Sequence, residues 1–488
     1  MICVPIVSPS MKESLADIAA AREFADIIEL RVDLMRDFDL PALLKAAGRP
    51  CIVTNRTKLE GGQFRGTEEL RVRVLRQAID AGADFIDIEA STPRHLLKSV
   101  LESKGSSQAI LSYHDFTGAP DRLETLYEMM RELPADVLKI VVYATDINDN
   151  LAVFDLLKRA CRDGRRLISF CMGEKGEISR ILSPLMGGFL TFGSLDAGKE
   201  SAPGQIPAER LKNVYRVDRP REGMKIYGVI GDPVSKSMGY LIHNRAFQES
   251  GLPHIYVPFR VKNLQKFFAG FESVFAGLSV TMPFKEEIVP LLGKVDPVAR
   301  KIGAVNTVAR EGNVWTGHNT DCSGALKALE EIAPLAGKNV LIVGAGGTAK
   351  AIGHGVAGRG ARLTLTYNRD KNRGEVLARE LQCRLVSVRD IEDCPADVLI
   401  NCSPAGMAPK VNETPVPARA LRPGMVVFDS VYNPPETRLI REAKAAGCAT
   451  ISGVELFINQ GAAQFELWTG MKAPAAAMRS ALTTALGG

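Results

Sequence analysis

Short apolar runs alternate with longer amphipathic stretches along the first 220 residues of the chain. The stretch Glu68–Ala81, for example, places apolar residues three and four positions apart, which is the spacing of a helix with one buried face. Strands that alternate with helices pair in parallel through right-handed crossovers, and eight such units predict a (β/α)8 TIM barrel. The predicted strands are Ile2–Val7, Ile27–Val32, Cys51–Asn55, Phe85–Glu89, Ala109–His114, Val137–Val142, Leu167–Met172 and Phe189–Phe192.

Polar residues collect at the carboxyl ends of these strands, where enzymes with this barrel build their active sites. Lys139 is the most informative of them, because it interrupts the otherwise apolar run VLKIVV. A buried lysine is unfavourable unless it is paired or serves chemistry, whereas a lysine on an edge strand reaches solvent. The other polar positions at strand ends are Glu29, Arg31, Arg56, Glu89 and His114.

The second half of the chain begins after a linker. The segment Arg216–Lys225 is charged and contains proline and glycine, and a new strand starts at Lys225. The α/β pattern then continues, and the alanine-rich stretch Gly453–Gly488 is predicted to be mainly helical. The stretch KNVLIVGAGGTAKAIGHGVA (338–357) predicts a strand, a glycine turn and a helix, which indicates a nucleotide-binding region. We therefore predict a barrel at residues 1–218, an α/β domain at 223–325, a nucleotide-binding domain at 326–452 and helices at 453–488.

A glycine turn follows the apolar strand Val340–Val343 and opens a helix. Such a turn lets backbone N–H groups approach a pyrophosphate, although glycine turns also occur in other α/β units. The next strand, Arg362–Tyr367, ends in Asn368 and Arg369, and Arg373 follows. Arginine suits the 2′-phosphate of NADP, so NADP is preferred over NAD. The residues of the turn are Gly344, Ala345, Gly346, Gly347 and Thr348.

Composition narrows the class of protein. With 488 residues, 46% hydrophobic and 24% charged, the chain has the composition of a globular protein. The net charge of +5 is dispersed, which favours small-molecule partners over nucleic acid. Nine cysteines without a CxxC pair favour reduced thiols over a disulfide framework or a metal site. The N-terminus lacks a basic signal region and no apolar run approaches 18 residues, so we expect a cytoplasmic protein without membrane spans.

The first half resembles type I 3-dehydroquinate dehydratase in the motifs ELRVD (29–33), TNRTKLEGG (54–62), SYHDF (112–116), ADVLKI (135–140), MGEKGEISR (172–180) and SAPGQ (201–205). The resemblance implies that Lys139 forms an imine with the ketone of dehydroquinate. It also implies that His114 is the general base and that Glu60 orients it. The implied substrate-holding residues are Glu29, Arg31, Arg56, Arg180, Ser201 and Gln205, with Arg180 as the clamp on the carboxylate. Without the resemblance, each arginine could equally be a surface ion pair.

The second half resembles shikimate dehydrogenase in GDPVSKS (231–237), HNRAF (243–247), SVTMPFK (279–285), GAVNTV (303–308), GHNTDCSG (317–324) and NQGAAQFELWTG (459–470). The resemblance implies a substrate-binding domain, a Rossmann domain for NADP and C-terminal helices that pack back on the substrate domain. Lys285 and Asp321 match the pair that serves proton transfer. The implied substrate contacts are Ser235, Ser237, Thr281, Asn306, Tyr432 and Gln460. The implied cofactor contacts are the glycine-turn residues with Asn368, Arg369, Arg373 and Gly453.

One loop departs from the dehydrogenase pattern. Met238-Gly239-Tyr240 stands where the family has a proline, so two extra residues separate Ser237 from His243. We expect a reshaped loop there, and Ser237 matches the pattern less well than Ser235.

Both sets of motifs occur in order, so the chain resembles bifunctional dehydratase–dehydrogenases of the shikimate pathway. In such a fusion the product of the first reaction, 3-dehydroshikimate, is the substrate of the second. The alternatives are a quinate dehydrogenase that uses NAD, a ligand-sensing regulator derived from these domains, and a Schiff-base aldolase for the barrel. The regulator is disfavoured because Lys139, His114, Lys285 and Asp321 are all present, and the aldolase because HDF and SAPGQ are in place.

Overall fold

The computed structural model describes residues 1–118, 122–219, 222–234, 237–367 and 370–487. By its internal contacts the chain divides into two compact units. The first comprises Met1–Met224 with Lys266–Glu272, and the second comprises Lys225–Gln265 with Ser273–Gly488. Across the described ranges, no helix combines the length and apolarity needed to cross a bilayer.

The first unit is built on one parallel sheet in the order β7-β6-β5-β4-β3-β2-β1-β8-β9. Its strands are β1 (Ile2–Ile6), β2 (Ile27–Arg31), β3 (Cys51–Thr54), β4 (Phe85–Glu89), β5 (Gln108–His114), β6 (Val137–Tyr143), β7 (Leu167–Met172), β8 (Thr191–Ser194) and β9 (Ile206–Pro207). Its helices are α1 (Met11–Ala21), α2 (Leu40–Ala47), α3 (Glu68–Asp80), α4 (Arg94–Glu102), α5 (Leu123–Arg131), α6 (Asp149–Arg162), α7 (Glu177–Leu182) and α8 (Ala208–Arg210).

The sheet curls so that its eighth strand lies beside the first. β8 pairs with β1 in parallel, and Phe189 N–H donates to Leu167 C=O at 2.8 Å where the chain approaches β8 from β7. The predicted strand at Phe189–Phe192 is therefore placed two residues too early, because Phe189 bonds to the start of β7 and packs on Phe85. The predicted barrel class is confirmed.

An apolar layer fills the inside of the curled sheet and supports the polar end. In β4, Phe85 belongs to this layer, whereas Asp87 and Glu89 lie on the same face nearer the carboxyl end. Alternation along a strand puts these three side chains on one face. The layer also contains Cys3, Ile27, Ile52, Ile110, Val137, Ile168, Leu190 and Phe192.

The second unit contains two sheets, and the first of them has the order β11-β10-β12-β14-β15-β13. β10, β11 and β12 are parallel, but β14 runs antiparallel to β12 and to β15. The strands are β10 (Lys225–Gly231), β11 (His254–Arg260), β12 (Phe275–Val280), β13 (Lys294–Val295), β14 (Thr307–Glu311) and β15 (Val314–His318). The helices along this part of the chain are α9 (Gly239–Glu249), α10 (Leu264–Phe271), α11 (Pro297–Ile302) and α12 (Thr320–Glu330).

The second sheet has six parallel strands in the order β18-β17-β16-β19-β20-β21. Numbered from its own first strand, this order is 3-2-1-4-5-6, the doubly wound arrangement of dinucleotide-binding domains. The predicted Rossmann class is thus confirmed. The strands are β16 (Asn339–Val343), β17 (Arg362–Tyr367), β18 (Arg384–Ser387), β19 (Val398–Asn401), β20 (Val426–Asp429) and β21 (Ala449–Ile451). The helices are α13 (Gly347–Gly358), α14 (Lys371–Glu380), α15 (Arg438–Ala445), α16 (Gly453–Thr469) and α17 (Ala475–Ala485).

The last two helices return to the first sheet of this unit. Ile458, Phe465 and Met478 share an apolar cluster with Tyr227 and Phe247. α12 packs along α16, and a Cβ on Gly324 would lie only 2.8 Å from the backbone nitrogen of Gln460. This close approach places the motif GHNTDCSG (317–324) next to the motif NQGAAQFELWTG (459–470), although the two are far apart in the chain.

Candidate active sites

Lys139 lies inside the first unit, on β6 between β5 and β7, and is 4% exposed. Its Nζ donates to Asp87 Oδ2 at 3.0 Å and lies 3.8 Å from Glu29 Oε1. The ring of Phe192 lies 4.4 Å from the same nitrogen. The edge-strand alternative for Lys139 is therefore wrong, because the ammonium group is buried among carboxylates and an aromatic face.

His114 and Glu60 form a hydrogen-bonded pair beside this lysine. Glu60 Oε2 lies 2.9 Å from His114 Nδ1 and accepts from the His114 backbone N–H at 3.1 Å. Burial lowers the pKa of His114 well below its usual value, and the Arg56 and Lys139 cations lower it further. Burial also raises the pKa of Glu60 to about 7, against the opposing charge of Arg56. The imidazole is therefore neutral, and its Nε2 carries a lone pair that can take a proton.

Arg56 is buried at the centre of a charge cluster. Its Nη2 lies 2.7 Å from Asp87 Oδ2, and its Nη1 donates to Ser112 Oγ at 2.7 Å. Glu89 Oε1 lies 3.3 Å from Nη1, and the fully buried Arg71 pairs with the other oxygen of Glu89. The surface-ion-pair alternative is wrong for this arginine.

Arg180 presents an unpaired cation to the same pocket. It is fully buried, and within the described part of the chain its Nε and Nη1 have no hydrogen-bond partner. Its Nη2 donates to Pro203 C=O at 3.1 Å, and its guanidinium lies 4.4 Å from the ring of Phe170. Burial lowers its pKa to about 10. A buried guanidinium with free donors is suited to a ligand carboxylate.

The remaining substrate-holding predictions of this unit also fall on the pocket, which Glu29, Arg31, Ser201 and Gln205 line with the residues above. Gln205 Nε2 donates to Ser201 Oγ at 3.0 Å. Arg31 forms two 2.9 Å hydrogen bonds to Asp33, so part of its charge is already balanced by the protein.

The second unit places Lys285 and Asp321 in contact. Lys285 Nζ donates to Asp321 Oδ2 at 2.6 Å, and the two side chains are 19% and 13% exposed. Lys285 follows β12, and Val305 N–H donates to its carbonyl at 2.7 Å. Asp321 stands in the first turn of α12, which Asn319 caps by accepting from Cys322 N–H.

Lys285 and Asp321 line a cavity of about 400 Å³. Asn306 is held rigidly at its wall, because its Oδ1 accepts from Thr320 N–H at 2.7 Å and its Nδ2 donates to Thr320 Oγ1 at 3.0 Å. One N–H of that amide remains for a ligand. The other predicted residues on the cavity wall are Ser237, Thr281, Thr348, Tyr432, Gly453 and Gln460.

The altered loop after Ser237 leads into α9, and Gly239 N–H donates to Ser237 Oγ at 3.3 Å. Tyr432 stacks on Phe457 with ring centres 4.4 Å apart, and its hydroxyl is hydrogen-bonded to the backbone of Met238. Tyr432, which lines the cavity, thus holds the loop at Met238 through this hydrogen bond. Ser235 lies outside the described residues.

The glycine turn forms an open cradle at the start of α13. Gly344 has a φ of +110°, which favours glycine, and a Cβ on Gly346 would meet nothing within 4 Å. A Cβ on Gly347 would lie 3.6 Å from Lys285 Cδ, so the cradle adjoins the Lys285–Asp321 pair. Ala345 packs partly buried against the core of this sheet.

Other predicted cofactor residues have local structural roles. A Cβ on Gly453 would lie 2.3 Å from the Val431 carbonyl, so α16 can begin there only with glycine. Asp370 caps α14 by accepting from the N–H of Arg373, which is exposed. Asn368 and Arg369 lie outside the described residues.

Comparison with known proteins gives separate family matches for successive parts of the chain. The model of type I 3-dehydroquinase matches residues 2–222. Models of the shikimate dehydrogenase substrate-binding domain, of shikimate/quinate 5-dehydrogenase and of the shikimate 5′-dehydrogenase C-terminal domain match residues 229–308, 326–427 and 453–483. The chloroplastic bifunctional 3-dehydroquinate dehydratase/shikimate dehydrogenase of Arabidopsis thaliana is 38% identical, over 97% of this chain and 83% of its own. The chain belongs to this bifunctional family.

Two further relatives agree with this assignment, one over the whole chain and one over its second half. The shikimate biosynthesis protein AroDE of Chlamydia pneumoniae is 31% identical over 96% of this chain and 95% of its own. The crystal structure of shikimate 5-dehydrogenase from Thermus thermophilus, in complex with NADP(H) and shikimate, has 32% identity and a TM-score of 0.50. It covers 54% of this chain and 100% of that one. The predictions of a bifunctional shikimate-pathway enzyme, with a lyase and an oxidoreductase half, are confirmed.

Sequence reasoning missed several residues that lie in or next to the two sites. Asp87 contacts both Lys139 and Arg56. The sequence signal that could have identified it is its position two residues before Glu89, which places both carboxylates on the same face of the strand. In the dehydrogenase cavity, His243 Nε2 lies 3.1 Å from Gln464 Oε1, which also accepts from Ser279 Oγ at 2.8 Å. No local pattern joins residues 221 positions apart in the chain.

Proposed function

We propose that the first unit dehydrates 3-dehydroquinate to 3-dehydroshikimate through an imine on Lys139. Nζ adds to the substrate ketone, water leaves, and a protonated imine forms. This cation withdraws electrons and acidifies the adjacent C–H. The observation that carries the proposal is the placement of a buried lysine beside a neutral histidine whose ring is oriented by Glu60.

His114 Nε2 then takes the proton from the adjacent carbon and passes it to the substrate hydroxyl, which leaves as water and restores the neutral imidazole. Hydrolysis of the imine returns the amine of Lys139 and releases the enone. Glu60 acts through His114, because it accepts from Nδ1–H and so keeps Nε2 unprotonated. Arg180 binds the substrate carboxylate with its unpaired N–H groups.

We infer that the second unit reduces 3-dehydroshikimate to shikimate with NADPH, which supplies a hydride when it is bound. The open cradle at Gly346 supports a dinucleotide there, because a pyrophosphate can approach the backbone N–H groups at the start of α13. Lys285 donates a proton to the developing alkoxide, and Asp321 keeps the ammonium in place. Asn306, Ser237, Thr281, Tyr432 and Gln460 hold the substrate hydroxyls and carboxylate, as does Ser235.

The choice of NADP over NAD rests on Asn368, Arg369 and Arg373 in the sequence, and it is supported by the NADP(H) named for the Thermus relative. Quinate with NAD remains the alternative. The proposed partners are small molecules. The nine free cysteines support the prediction that the protein works in a reducing compartment such as the cytoplasm.

The test gives the purified full chain 3-dehydroquinate with NADPH and follows enone absorbance together with NADPH loss. We expect the enone to rise and then be consumed with NADPH, and borohydride plus dehydroquinate to leave an adduct on Lys139. A trapped adduct on another residue, or none, would refute the imine assignment. Oxidation of quinate with NAD that exceeds oxidation of shikimate with NADP would favour the alternative.

A further inference from the structure

Asp87 is a buried carboxylate to which the proposed mechanism gives no role. It is 1% exposed and occupies the middle of β4. Its Oδ2 accepts from Lys139 Nζ at 3.0 Å and lies 2.7 Å from Arg56 Nη2. Its Oδ1 accepts from Ser112 Oγ at 2.6 Å. Burial alone would raise the pKa of Asp87, but the Arg56 and Lys139 cations outweigh burial and hold it well below its usual value.

The charges around Lys139 explain why an anion is needed at this place. Arg56 and Lys139 share one carboxylate oxygen, so without Asp87 these two buried cations would lose the anion that lies between them. Glu29 is farther from Nζ, at 3.8 Å. The titratable and charged groups that face Lys139 from the neighbouring strands are Cys3, Glu29, Arg56, Asp87 and His114.

The nitrogen of Lys139 is positive in two states of the proposed reaction, as the ammonium and as the protonated imine. It is neutral only as the attacking amine. A fixed anion at 3.0 Å stabilises both cationic states and fixes where the nitrogen lies. We propose that Asp87 is a positioning residue of the dehydratase: it holds Nζ of Lys139 in place and is the counter-ion of the protonated imine. This inference rests on the proposed imine at Lys139.

The test replaces Asp87→Asn in the full chain and measures dehydratase kcat and the rate of borohydride inactivation with dehydroquinate across pH. We expect kcat to fall about 10- to 100-fold, which is the loss of one charge-assisted hydrogen bond. The pH of half-maximal inactivation should move at least about one unit lower, because the ammonium loses an opposing charge and gives up its proton more readily.

Asp84→Asn is the matched control. Asp84 stands directly before the same strand, at the opposite end of the sheet, and accepts from Cys51 N–H at 2.9 Å. This variant should leave both kcat and the pH of half-maximal inactivation unchanged. A general loss of packing in Asp87→Asn would lower kcat without moving that pH, and this result would overturn the proposal.

Ser112→Ala provides a second variant that keeps the charge of Asp87 but removes the hydroxyl that holds its Oδ1. We expect a loss of a few-fold in kcat with no pH shift. Wild-type kcat in this variant would overturn the positioning role, even if Asp87→Asn failed to fold. Absence of a Lys139 adduct in the wild-type protein would instead refute the imine itself, so the two failures are distinguishable.

Discussion

Lys285 and Asp321 are predicted to act as one unit in the dehydrogenase. The contact between Nζ and Oδ2 is 2.6 Å, and less than a fifth of either side chain is exposed. A hydrogen bond between charged groups contributes about 1.5–3 kcal/mol, which corresponds to about 10- to 150-fold in rate. We therefore expect Asp321→Asn to lower kcat by roughly that factor, because the ammonium is no longer held at the substrate carbonyl.

Lys285→Met should cost more, because it removes the proton donor itself. General acid catalysis contributes about 10²- to 10⁴-fold, and kcat should fall within this range while KM changes little. Methionine is an unbranched side chain like the lysine stem, so the substitution removes the charge with little change in shape. The double variant should be no more than about threefold slower than Lys285→Met, because an aspartate without its lysine has nothing to position.

The assay follows NADPH oxidation with 3-dehydroshikimate under saturating and limiting substrate, so that kcat and KM separate. Dehydratase activity of the same preparation is the internal control for folding and concentration, and we expect it to be unchanged. Fully multiplicative losses in the double variant would refute the idea of a unit. A parallel loss of dehydratase activity would show that the substitutions disturb the chain as a whole.

Three further predictions concern single groups. Dehydratase kcat should fall as pH falls through about 7, because the Glu60 carboxyl, whose pKa is raised to about 7, then gains a proton and no longer accepts from His114. The pH–rate profile of Glu60→Gln should lack this fall in kcat near pH 7. Arg180→Met should raise KM for dehydroquinate about 10- to 150-fold, without lowering thermal stability, because the buried guanidinium has unpaired N–H groups; steady-state kinetics and a melting curve check both. Arg369→Ala should raise KM for NADPH about 10- to 100-fold and leave KM for NADH unchanged, and equal weakening of both cofactors would contradict the NADP assignment.

Local sequence patterns were enough to predict the barrel and the doubly wound sheet. The alternation of strands and helices predicted the barrel, and a strand followed by a glycine turn predicted the first crossover of the doubly wound sheet. A lysine inside an apolar strand identified Lys139, because burial of a charge needs a reason. The antiparallel pair β14 and β15 was not predicted, since alternating residues show that a strand exists but not the direction of its partner.

The residues that were missed depend on contacts across the fold. In FIDIE, Asp87 and Glu89 share a face with Phe85, but charged residues on alternate positions are also typical of a strand with one solvated face. What decides between these cases is Arg56, which comes from another strand end and brings two cationic nitrogens to those carboxylates. The His243–Gln464 contact likewise forms only when α16 returns to the first sheet of its unit.

The two lysines have different surroundings because their proposed tasks place different demands on water. Lys139 is regenerated by hydrolysis within its own pocket, and its side chain is 5% exposed with Asp87 and Glu29 around it. Lys285 loses a proton in every reduction and must regain one from solvent, so complete burial would isolate it from its proton supply. Its 19% exposure provides that access, while a single carboxylate still fixes its direction. A solvated Lys139 would lose the low-dielectric surroundings in which its paired carboxylates are strongest. Burial therefore differs between the two sites in the direction that their chemistry requires.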